Sequence, residues 1–189
     1  SDEALAVRSF TVRNFPEVWA QWNNRDLIGD FESDYLRIPC PFLTVFSFVY
    51  GNENKESSKA NFNLIRSTQK AGSGFARFMP SVHEVEKDWK FVVDKLQKGQ
   101  KLVHAFYQVV LYAPPSEIES CERYINSLYR SKSWQLVRDK YVQMQNWLTA
   151  FPFTLSEGLG SDLRIMGRLK SMVTWSCANI APLQGEWKG

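Results

Sequence analysis

The segment from Lys101 to Ala113 constrains this chain most. It holds the unbroken run Phe106-Tyr-Gln-Val-Val-Leu-Tyr112, and Pro114-Pro115 stops it. Aromatic and β-branched side chains suit a pleated surface, and a run that is apolar on both faces needs cover on both. The segment therefore predicts a long strand at the centre of a sheet. A chain of 189 residues, 44% of them apolar, is long enough to bury such a strand in one ordinary domain.

Three further strands are predicted around it. Residues 5 to 13 alternate apolar and polar side chains, the period of a half-buried strand. Pro41 to Tyr50 is rich in Phe, Val and Thr and reads as a second central strand, entered through Pro39 and Pro41. Trp134 to Val137 reads as a short fourth. A short helix with Val18, Trp19 and Trp22 is expected after Pro16, ending at Gly29-Asp30. After Gly51 a long polar helix runs to Ala71. A second helix follows Pro80-Ser81, with Val82, Val85, Trp89, Val92, Val93 and Leu96 on one face, and stops at Gly99. Ser81 with Glu84, and Ser116 with Glu119, have capping-box spacing. Ile118, Cys121, Ile125 and Leu128 repeat at helical intervals, as do Tyr141, Met144, Leu148 and Phe151; a last helix is expected from Ser161 to Ser176.

The predicted class is α+β. Without the two long helices, the order is a ferredoxin-like split β-α-β sheet. A helical hairpin at about 53–99 is inserted between the two central strands, which pair antiparallel, and extra helices follow at the C-terminus. The expected division is an α+β domain over 1–155 and a C-terminal helix and lead-out over 156–189.

Charge and chemistry narrow the function. The net charge of +3 comes from 23 Lys and Arg against 20 Asp and Glu, so nucleic acid or anionic lipid could be bound through a local patch alone. Cys40, Cys121 and Cys177 are far apart and form no CxxC. His83-Glu84 opens like a zinc-hydrolase motif, but Lys87 stands where the second imidazole belongs. His104 lies mid-strand and reads as a hydrogen-bonded core residue. Gly72-Ser-Gly74 and Gly158-Leu-Gly160 do not run into Gly-Lys-Ser/Thr, so neither reads as a Walker A loop. No catalytic, cofactor-binding or metal residue is predicted. One feature is not explained by folding: Lys55, Lys59, Arg66 and Lys70 recur at spacings of four, seven and four, with Phe62 among them. They form one helical stripe, and Phe75, Arg77 and Phe78 extend it at the hairpin tip. Such a surface suits a docking partner or, alternatively, nucleic acid, where cations hold phosphates and an aromatic stacks a base.

Several segments taken in order resemble the TraC-type ATPases of F-like conjugative type IV secretion systems. They are Phe10-Thr-Val-Arg-Asn-Phe-Pro16-Glu-Val-Trp, Ile38-Pro-Cys-Pro-Phe-Leu-Thr44, Phe78-Met-Pro-Ser-Val-His-Glu-Val-Glu-Lys-Asp-Trp89, Tyr107-Gln-Val-Val-Leu-Tyr112, Phe151-Pro-Phe153 and Ala178-Asn-Ile-Ala-Pro-Leu183. The resemblance implies a module just upstream of a RecA-like domain that holds the Walker motifs, ATP and Mg2+. It implies no enzyme activity in this segment, a role in pilus assembly and plasmid transfer, and a cytoplasmic location peripheral to the bacterial inner membrane. The implied partners are inner-membrane secretion components and further copies of the ATPase; DNA is the alternative partner that the basic stripe alone suggests.

Overall fold

The computed structural model describes residues 4–29, 37–138 and 140–181; for Phe75, Arg77, Ser156 and Glu157 it describes the backbone alone. The strands are β1 (Ala6–Asn14), β2 (Phe42–Tyr50), β3 (Leu102–Ala113), β4 (Gln135–Arg138) and β5 (Lys170–Val173). The helices are α1 (Glu53–Ala71), α2 (Pro80–Gln97), α3 (Ile118–Ser131), α4 (Gln143–Leu148), α5 (Gly160–Ile165) and α6 (Thr174–Ile180). The sheet order is β2-β3-β1-β4, with β5 also paired to β3. β1 runs antiparallel to both neighbours, with Phe10 opposite Val109 on β3 and Arg138 on β4. This is the ferredoxin-like order, and the α1–α2 hairpin enters between β2 and β3. By chain contacts there are two compact units: Ser1–Phe48 with Ala105–Lys170 and Ala178–Gly189, and Val49–His104 with Ser171–Cys177.

In the first unit, β3 is buried on both faces from Ala105 to Leu111, as its composition predicts. α3 covers it with Ile118, Cys121, Ile125, Leu128 and Tyr129, all buried. β2 departs from expectation. It pairs with β3 but forms an edge of the sheet, and Leu43, Phe48 and Tyr50 are exposed. The central place beside β3 goes to β1, whose Ser9, Phe10, Thr11 and Val12 are all buried. A run of apolar residues on both faces does not distinguish a central strand from an edge strand with exposed aromatics.

The helix expected after Pro16 is a 3-10 helix over Gln21–Leu27, with Val18 and Trp22 exposed. Neither capping box forms. α2 starts at Pro80, one residue before Ser81, because a proline at the first helical position lacks an N–H that would need a partner. α3 is entered through a turn in which the N–H groups of Glu117 and Ile118 donate to the Pro114 carbonyl, which makes Glu117 the cap. The single last helix is broken into α5, β5 and α6. Gly167, at φ 68°, takes a left-handed conformation that ends α5 and sends the chain into β5.

The stripe Tyr141, Met144, Leu148 and Phe151 faces solvent, and α4 turns its polar side inward. β4 ends opposite Phe10, and Gln143 supplies the next pairing on β1. Its amide accepts from the Ser9 N–H at 2.8 Å and donates to the Ser9 carbonyl at 2.9 Å. Thr149 and Asn146 are buried below it, and the Thr149 hydroxyl lies 3.3 Å from Gln108 Oε1 on β3. Unmet buried backbone groups cost more than an exposed apolar stripe loses, so the polar face takes the inside.

Two predictions follow from this packing. Gln143→Ala is expected to cost about 1–3 kcal/mol in urea unfolding, and Tyr141→Ser on the outward face within about 0.5 kcal/mol of zero. The second concerns pH. Burial raises the Tyr107 phenol to about 12 and Tyr129 well above its ordinary 10.0. The unfolded chain releases these protons near pH 10 while the folded chain keeps them. Stability is therefore full below pH 10 and falls as pH climbs toward 12, and Tyr107→Phe flattens that fall in pH-resolved unfolding.

Candidate functional site

Helix α1 is a short physical consequence of its sequence. The Asn52 side chain caps it by accepting from the Lys55 N–H at 3.2 Å, and Glu53 and Glu56 complement the positive helix start. Ala60 and Ser67 are buried on its inner face, and α2 meets it with Val93 buried and Trp89 half-buried. Across the seam Thr68 donates to Glu86 at 3.1 Å, and within α2 Lys90 pairs with the same Glu86 at 2.8 Å. The Lys90 ammonium, helped by Thr68, holds the Glu86 carboxyl below the usual carboxylate range. This seam fixes which way α1 faces.

The opposite face carries Lys55, Lys59, Phe62, Arg66 and Lys70, all exposed, and Phe62 is 64% exposed with Ile65 beside it at 58%. None of the four cations has an ion pair among the described residues. Phe78 stands 84% exposed at the end of the 3-10 turn Gly74–Phe78. The structure thus brings five of the eight predicted residues onto one helix face and puts Phe78 at the tip. The side chains of Phe75 and Arg77 lie outside the described residues.

Glu56 turns away from this face. Its Oε1 lies 3.0 Å from His104 Nε2, and His104 Nδ1 lies 3.0 Å from the Ser171 hydroxyl. A Ser–His–carboxylate row activates serine in hydrolases, but Ser171 sits within the regular strand β5 rather than on a strained strand-to-helix turn. What the row does here is tie α1, β3 and β5 together. Gly51 makes room for it, since a Cβ there would come within 2.5 Å of Glu56 Cγ. The glycine-dense spots have local backbone roles. Gly72 caps the end of α1, and Gly158 and Gly160 lie in a π-helical turn and the start of α5, where a side chain at Gly160 would meet the Leu155 carbonyl.

A second basic feature gives little sequence signal. Arg8, Arg123, Arg130, Arg138, Glu119 and Glu122 line a groove of about 630 Å³ between α3 and the β1–β4 pair. Arg8 and Arg138 both donate to Glu122 Oε2, the latter at 2.8 Å, and Arg8 also faces Glu119 at 3.8 Å. Next to it, Arg13 and Arg130 flank a groove of about 570 Å³ along Gln135, Leu136 and Val137. Near-neutral total charge hides this cluster. The available clue is Arg123 and Arg130, seven residues apart and so on one face of α3.

The Glu56 tie is testable. Glu56→Gln replaces the carboxylate acceptor of a part-buried hydrogen bond with an amide and is expected to lower stability by about 1–3 kcal/mol. Gly51→Ala, which pushes the same carboxylate aside, is expected to act in the same direction, whereas Lys59→Ala on the outer face stays within about 0.5 kcal/mol in thermal or urea unfolding.

No helix among the described residues is long and apolar enough to cross a membrane. A family model described as TraC protein matches residues 1–155. Protein TraC of Escherichia coli (strain K12) is 26% identical over 183 residues, which is 95% of this chain and 21% of that relative. The chain therefore spans about a fifth of the length of the curated relative it matches. A match over most of the residues, on a ferredoxin-like α+β frame, shows that the chain belongs to the TraC family of conjugative type IV secretion proteins.

Proposed function

We propose that this chain is a non-catalytic docking module of a conjugative-transfer ATPase. It sits on the cytoplasmic side of the bacterial inner membrane, where it contacts inner-membrane secretion components and neighbouring ATPase subunits. In this reading ATP and Mg2+ are bound by another region of the parent protein. The observation that carries the proposal is the solvent face of α1. Four cations without ion pairs among the described residues and a largely exposed Phe62 share one stripe on a helix whose other side is packed.

The physical case is one of cost. An exposed phenylalanine beside an exposed isoleucine contributes little to the fold, and each is worth about 1.5–3 kcal/mol when covered. The exposed cations around them steer an acidic partner and fix its register. A stripe on a packed hairpin is also held in place before binding, which reduces the entropy lost on docking.

The same stripe could instead hold phosphates, with Phe62 stacking a base, and one experiment separates the two. A photo-crosslinking residue at positions 62, 66 and 78 of the full-length parent protein is activated in cells assembling the transfer apparatus. Adducts with inner-membrane secretion components or ATPase subunits are expected. The combined change of Lys55, Lys59, Arg66 and Lys70 to Glu should cut them about tenfold, and the matching change to Gln, which adds no like-charge repulsion along the helix, should also weaken them and controls for helix stability. Adducts with DNA, together with a salt-dependent DNA affinity that the same variant abolishes, would overturn docking in favour of nucleic-acid binding.

A further inference from the structure

The arginine grooves beside β4 belong to the first compact unit and the α1 stripe to the second, and the chemistry of the grooves points to a particular kind of partner. β4 is the outer strand of the sheet and, among the described residues, is paired with β1 alone. Its successive residues Gln135, Leu136 and Val137 all line the second groove. Side chains alternate between faces, so a groove that touches three in a row reaches the β4 main chain as well as its side chains, with Arg13 of β1 flanking it. Leu136 and Arg130 line both grooves, which makes them one continuous track.

Charge complements that edge. Five arginines line the track against two glutamates. Arg8 and Arg138 are held by Glu122, so the inner part is neutralised and fixed. Arg13, Arg123 and Arg130 are exposed and have no ion pair among the described residues. Arg123 and Arg130 stand two turns apart on α3, roughly 10 Å along its axis. Alternate side chains of a strand on one face are separated by about 6.6 Å, so carboxylates on one face of an extended peptide can reach both guanidinium groups. The lining offers no exposed aromatic ring, since Trp134 is fully buried. Base stacking, the main affinity source for single-stranded nucleic acid, has no platform here.

We infer that this track receives an extended acidic segment of a partner protein. The segment adds a strand to the free edge of β4 and seats its carboxylates on Arg13, Arg123 and Arg130. Main-chain pairing supplies affinity and the arginine row supplies specificity and direction, the division of labour in strand addition. Arginine suits the task because its planar fork takes a carboxylate bidentately.

Fluorescence anisotropy of the purified chain with a short labelled peptide of alternating Glu and Val tests this. Saturable binding that weakens with added salt is expected. Replacing Arg13, Arg123 and Arg130 together by Gln should weaken it about tenfold or more, with the urea midpoint unchanged. Methylating alternate backbone nitrogens of the peptide should abolish it. The quadruple α1 variant should leave it unaltered, so this inference and the docking reading for α1 stand or fall separately. Equal binding by the methylated peptide, unchanged binding by the arginine variant, or displacement by a single-stranded oligonucleotide at equal charge would each overturn it.

Discussion

Four aromatic rings close around Trp134. Phe15 from the end of β1, Trp19 from the loop ahead of the 3-10 helix, Tyr107 from β3 and Tyr129 from α3 lie with ring centroids 5.0, 5.1, 5.1 and 5.9 Å away. Phe15, Trp19 and Tyr129 meet it edge to face, the arrangement that aromatic quadrupoles favour. The price is the Trp134 ring N–H, which is buried without a hydrogen-bond partner among the described residues. An unmet buried donor costs about 1–3 kcal/mol, whereas truncating a buried tryptophan costs about 3–5 kcal/mol. Packing therefore wins, and the site where α3 gives way to β4 is held from every side.

That anchor explains why a tight turn can precede β4. Ser133 has φ 63°, unusual for a residue with a side chain, and the Trp134 N–H donates back to the Tyr129 carbonyl at 2.9 Å to close the helix end. The strain of a left-handed serine is of order 1 kcal/mol, which the buried tryptophan offsets several times over. The result is a β4 only four residues long, aimed along β1 so that its pairing stops opposite Phe10. Gln143 then takes over the pairing at Ser9. A short outer strand and a polar inner face on α4 are two consequences of one placement.

This also accounts for what could be read from the residues alone. β3 was legible because both-face burial over a long run has few other solutions, and α1 because its polarity and the glycines at both ends agree. The order of elements then leads to the ferredoxin-like arrangement. The outward Tyr141–Phe151 stripe was not legible. Hydrophobic periodicity reports that a helix has two faces, but the need of Ser9 and Gln108 for partners decides which face goes in, and that need exists only once the sheet is built. The edge position of β2 is the same kind of failure, since neighbour order is not a property of one segment. Of the candidate site, the α1 stripe could be read from spacing, because a helix of known register determines its own faces. The arginine track could not, because Arg8, Arg13, Arg130 and Arg138 come from three elements that only folding brings together.

The contrast between the two basic surfaces is physical as well as historical in the chain. On α1 the cations stand on one helix with no acidic neighbour held between them, so their effect on a partner is a screened field that falls off over roughly 8–10 Å in physiological salt. Beside β4 a single carboxylate, Glu122, binds two guanidinium groups at once and is itself mostly covered. It does not cancel the patch. It immobilises Arg8 and Arg138 against α3 and leaves the outer arginines to meet incoming charge over a rigid floor. The α1 surface therefore suits attraction and orientation of a partner, while the β4 edge suits a contact with defined register. Both stand on the same family frame, and neither requires a reaction centre within it.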